Sequence, residues 1–140
     1  MLPEQRFNIV VFEKYFIYYQ GLLSIITEKF GSQVRVVYCK DTDLDAPNTI
    51  NYPVDLVLFH VPLFLSVKWV SQSVKKIKLR FNAASIILYS AERRNDITKK
   101  VNFLDINGCF FLENTVEEIM GEIEKVINKK KEYDLVSHMN

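Results

Sequence analysis

Short apolar runs alternate with amphipathic stretches along the whole chain. Phe7–Phe12, Val34–Cys39, Val54–Phe59, Ser85–Tyr89 and Cys109–Leu112 are four to six residues long, rich in Val, Ile and Phe, and show no polar alternation. Runs of that length and composition suit strands buried on both faces. Between them lie helical spacings. Tyr15–Phe30 carries Leu22, Leu23, Ile25, Ile26 and Phe30 near the i, i+3, i+4 period, with Gly31 as a stop. Asp43–Asn51 is short and holds Pro47, so it predicts at best a single turn. Ser66–Leu79 sets Val67, Val70, Val74 and Ile77 against lysines on the opposite side, and Asn95–Asp105 aligns Ile97, Val101 and Leu104 before Asn107-Gly108. Thr115-Val116-Glu117-Glu118 is a capping-box pattern, and Ile119, Ile123, Val126 and Ile127 continue that helix to about Lys130.

Five strands alternating with helices predict an α/β domain. Its parallel strands would join through right-handed crossovers, with helices on both faces of the sheet. Chemistry in such a fold gathers at the carboxyl ends of the strands. The 140 residues suffice for one domain, and 49% hydrophobic with 25% charged residues is an ordinary globular profile. Eighteen basic against 17 acidic residues leave a net charge of +1, which disfavours nucleic-acid binding by this segment itself. Cys39 and Cys109 sit in strand-like runs without zinc-ligand spacing and read as small buried hydrophobes in a reducing compartment. The first residues have no apolar signal core, and no stretch approaches the roughly 18 apolar residues of a membrane span, so a cytoplasmic location is the expectation. From Lys129 the charged tail loses its period and reads as the start of a linker.

Several segments resemble the receiver domain of bacterial two-component response regulators, most closely the NarL/FixJ subfamily. Asn8-Ile9-Val10-Val11-Phe12-Glu13-Lys14 is similar to that family's first strand and acidic pair, and Tyr19-Gln20-Gly21-Leu22 to the opening of its first helix. Val54-Asp55-Leu56-Val57-Leu58-Phe59 resembles the strand that ends at the phosphoacceptor, which sets His60 there. Ile86-Ile87-Leu88-Tyr89-Ser90-Ala91 resembles the strand ending in Thr/Ser-Ala, and Gly108-Cys109-Phe110-Phe111-Leu112 the strand ending in lysine. The resemblance spans about residues 6–128. It implies a flavodoxin-like five-stranded sheet of order 2-1-3-4-5 in a receiver-like domain over residues 1–130, with 131–140 as tail or linker.

The same alignment marks a departure at nearly every working position. Glu13 alone remains of the acidic pair, and Lys14 brings a cation to the place of the metal. His60 replaces the aspartate, so it offers no hard oxygen ligand and forms no acyl phosphate. Leu112 replaces the lysine that would meet the phosphoryl group, Cys109 stands at the switch aromatic, and Pro62 follows His60 by two residues rather than four. Only Ser90 is kept in kind. The resemblance therefore implies a pseudo-receiver: no catalytic residue, no metal and no cofactor, with Glu13, Lys14, His60, Ser90 and Leu112 lining a degenerate pocket.

His60 could serve as a phosphohistidine, a ligand or a pH-sensitive group, but a histidine satisfied by a carboxylate or carbonyl is the stronger reading. A Glu13–His60 or Glu13–Lys14 contact is the natural expectation. A Ser90–His60–Glu13 triad is disfavoured, because no nucleophile-elbow glycine pattern surrounds Ser90. The dense aromatics Tyr15, Phe16, Tyr18 and Tyr19 cannot all share one helical face, so some must meet solvent or a partner. Val61-Pro62-Leu63-Phe64-Leu65 is unusually apolar for a loop and suggests an interface. A second candidate is the face formed by the fourth helix, fifth strand and fifth helix, with Lys99, Lys100 and Phe103 on it. The expected role is regulatory and not enzymatic: contact with a protein partner or a homodimer. DNA would be reached only through an output domain that this chain does not contain. The rival expectations are an anionic metabolite bound in the altered pocket, or a receiver that is still phosphorylated.

Overall fold

The computed structural model describes residues 6–40, 44 and 50–138. Five parallel strands form one sheet: β1 (Phe7–Phe12), β2 (Val34–Cys39), β3 (Leu56–His60), β4 (Ser85–Ser90) and β5 (Gly108–Phe111). Their order is β2-β1-β3-β4-β5, the order expected of a receiver-like sheet. The helices are α1 (Phe16–Phe30), α2 (Val67–Arg80), α3 (Asn95–Thr98), α4 (Val101–Leu104) and α5 (Val116–His138).

Pleating divides each strand between two cores. Ile9 and Val11 of β1, with Leu58 and Ile87, pack under α1 and α5 against Leu22, Ile26, Ile123 and Ile127. Val10 and Phe12, with Val57 and Leu88, pack on the other face under Val70, Val74 and Ile77 of α2 and under Ile97 and Leu104. β1 and β3 are almost fully buried because they lie in the middle of the sheet with helices on both sides. This is why their sequences read as unbroken apolar runs.

The helix ends have local causes. The Ser66 hydroxyl accepts from the Trp69 amide and starts α2. Gly31, at φ 56°, closes α1 by donating its N–H to the Thr27 carbonyl. Thr115 and Glu118 form the reciprocal capping box, and those bonds hold the Glu118 carboxyl below its ordinary pKa.

Three expectations are corrected. The helix expected over Asn95–Asp105 is two short pieces. Thr98 returns its hydroxyl to the Arg94 carbonyl, and the Lys100 amide bonds only three residues back, to Ile97. Asp105, in the left-handed region at φ 58°, ends α4 and pairs with Lys78. The last helix does not stop near Lys130 but runs to His138. The Lys130–Asp134 pair and the strong helix formers around it carry the helix onward. Cys39 and Cys109 are only partly buried, since each sits on an outer strand of the described cores. The single turn expected over Asp43–Asn51 falls largely outside the described residues.

Candidate functional site

Strand register creates the site. Phe12 pairs with Phe59, so the next residues, Glu13 and His60, are neighbours where the strands end; His60 pairs in turn with Tyr89, and Tyr89 with Phe110. Glu13, His60, Tyr89 and Phe110 thus form one row across four strands, on the face covered by α1 and α5.

Glu13 is completely buried, and each of its carboxylate oxygens is engaged. Oε1 accepts from the Tyr89 hydroxyl at 2.8 Å. Oε2 accepts from the Tyr15 amide at 3.1 Å and lies 2.8 Å from His60 Nδ1. An acceptor so placed puts the imidazole hydrogen on Nδ1. A buried carboxylate without partners would be prohibitively costly, and these donors replace the water it has lost. Burial, followed by the Glu13 charge, pushes the Tyr89 hydroxyl far above its ordinary pKa. Tyr89 is therefore a permanent donor.

The rings are layered. His60 stacks on Tyr89 with centroids 5.0 Å apart and an interplanar angle of 8°, and Tyr89 stacks on Phe110 at 5.1 Å and 3°. Tyr18 meets His60 edge-on at 6.0 Å. Toward β2, Tyr38 stacks on Tyr19 at 4.3 Å, and burial together with the nearby Glu13 charge raises the Tyr38 pKa. Arg94, itself buried, donates to the Pro62 carbonyl at 3.2 Å and pairs with Asp96, so it fastens the loop after His60 to the loop after β4.

The expected pocket residues do not all converge. Glu13 and His60 touch, as anticipated from the sequence. Lys14 points outward, with Nζ 5.6 Å from the Tyr15 ring centroid. The Ser90 hydroxyl donates to the Glu92 carbonyl at 2.5 Å, within its own turn, and the triad geometry with His60 is not formed. Leu112 packs against the core cluster that contains Tyr89 and Phe110. Cys109 lies in the opposite core, near Thr98, and burial raises its thiol pKa. Tyr89 and Arg94 went unnoticed in the sequence. The signal for Tyr89 was present: a lone hydroxyl in an aliphatic buried strand needs a buried partner, and strand order supplies Glu13. Arg94 had no such signal.

No family model matches the chain, and no curated protein is similar to it in sequence. Solved structures are similar in fold. A response regulator from Thermotoga maritima shares 14% identity at a TM-score of 0.66, covering 88% of this chain and 98% of that one. A LuxR family DNA-binding response regulator from Silicibacter pomeroyi shares 14% at 0.67, covering 88% and 93%. RcsB from Salmonella enterica serovar Typhimurium, bound to promoter rprA in the presence of the phosphomimetic BeF3−, shares 18% at 0.67, covering 86% and 98%. The chain has the receiver fold of response regulators.

Within a receiver fold the strand ends are where a divalent cation and an aspartyl phosphate would be held. The residues present do not fit that cation. It wants several anionic oxygens, whereas both oxygens of Glu13 are already engaged by Tyr89, Tyr15 and His60. The next position on β3 supplies an imidazole.

Proposed function

We propose that this receiver-fold module acts in signal transduction through protein contact and does not depend on aspartyl phosphorylation. The observation that carries the reading is the saturated, fully buried Glu13 carboxylate with His60 bonded to it. His60 has no carboxylate to phosphorylate, and Leu112 is packed as an apolar residue. The exposed apolar crown at the strand ends supports contact with a protein: Phe16 is 53% exposed, Ile17 74% and Phe64 86%. The free cysteines suit a reducing, cytoplasmic setting, and no helix among the described residues is long and apolar enough to cross a membrane.

Incubation with acetyl phosphate, or with beryllofluoride, in the presence of Mg²⁺ tests the proposal. Intact mass and the fluorescence of Trp69, the single tryptophan, are expected to stay unchanged. A stoichiometric adduct that requires Mg²⁺ would overturn the reading.

A further inference from the structure

The chain is nearly neutral, but its charge is segregated. α2 carries Lys68, Lys75, Lys76, Lys78 and Arg80 and no acidic residue. The first ten residues of α5 carry Glu117, Glu118, Glu122 and Glu124 against Lys125. Such opposite fields on two helices of a balanced protein are complementary surfaces.

Shape follows charge. Lys68, Gln72, Lys75 and Leu79 fall at i, i+4, i+7 and i+11, one outward ridge of α2. Leu79 is 86% exposed on that ridge, an apolar knob among lysines. Between α1 and α5 lies a groove of about 450 Å³ with an apolar floor of Ile25, Val116 and Met120 and a rim of Glu28, Glu117 and Glu124. Lys29 on the rim makes only a long 3.9 Å pair with Glu124. Among the described residues, Lys68, Lys75, Glu28 and Glu117 have no ion-pair partner.

We propose that the α2 ridge of one copy docks into the α1/α5 groove of a second copy, with Leu79 entering the groove and the lysines facing its glutamates. This rests on the protein-contact reading and names a partner for it. The two surfaces differ, so the interface is head-to-tail and leaves a free ridge at one end and a free groove at the other.

Sedimentation of the full chain at about 10–500 µM in low salt should show mass rising with concentration. Roughly 1 M NaCl, where screening acts within ~3 Å, should return it to monomer. Lys68→Glu/Lys75→Glu and Glu28→Lys/Glu117→Lys should each weaken association at least ~100-fold, or ~2.7 kcal/mol at about 1.4 kcal/mol per decade. An equimolar mixture of the two variants should regain assembly, because each ridge then meets a groove of opposite sign. That recovery also shows that both variants are folded, and Leu79→Lys tests the knob separately. A wild-type chain monomeric throughout would overturn the proposal, as would association indifferent to salt and to both reversals. Neither result touches the phosphodonor test, so the two readings fail separately.

Discussion

Glu13 keeps its carboxylate out of water only because specific donors stand around it. Tyr89 is the one whose loss is easiest to read, since Phe preserves the ring stack and removes only the hydroxyl. Hydrogen bonds to charged groups are worth about 1.5–3 kcal/mol, so Tyr89→Phe should lower stability by about that amount in a urea titration, with an unchanged slope. An unaltered midpoint would mean that the Glu13–Tyr89 bond contributes nothing. His60→Asp reverses the logic of an ordinary receiver repair. It sets a second carboxylate against the buried Glu13, and breaking a buried pair costs about 3–5 kcal/mol. The expected outcome is a marginally folded protein, seen as a large fall in Tm; a variant as stable as the parent would show that the site tolerates two acids. In the sequence, His60 and Glu13 were identifiable as partners because both end strands that the fold makes neighbours. The outward turn of Lys14 and the local bond of Ser90 were not, because rotamer choice at an exposed turn leaves no periodic trace.

At the scale of elements, the central strands were readable residue by residue because burial on both faces erases polar alternation. The break between α3 and α4 escaped because Ile97 and Leu104 keep a helical seven-residue spacing across it. The far end of α5 escaped for the opposite reason: it is a helix without an apolar stripe, held by helix formers, local pairs and a bond from Lys131 to Gln33. Residues 131–137 are exposed throughout, so little tertiary packing resists fraying there. Amide exchange should be slowest in β1 and β3 and faster by orders of magnitude beyond Lys131. Protection of that tail equal to the core would instead point to a partner lying along it.

For the whole molecule, alternation and handedness predict the parallel sheet and its layers, while the strand order came from the resemblance to receivers, and the structure has that order. Charge balance was the least informative quantity. A sum of +1 conceals a helix of five cations and a helix whose first ten residues hold four anions, and only folding shows that these face different directions.

The row from Glu13 to Phe110 has a consequence for how information could pass through the protein. In a two-position device, one strand tip must be free to move when its neighbour changes chemical state. Here four tips are bolted together by the Glu13–His60 hydrogen bond, a hydroxyl and stacked rings. Under the self-association proposed above, a module built this way would speak through how many copies are present rather than through what has been done to each of them.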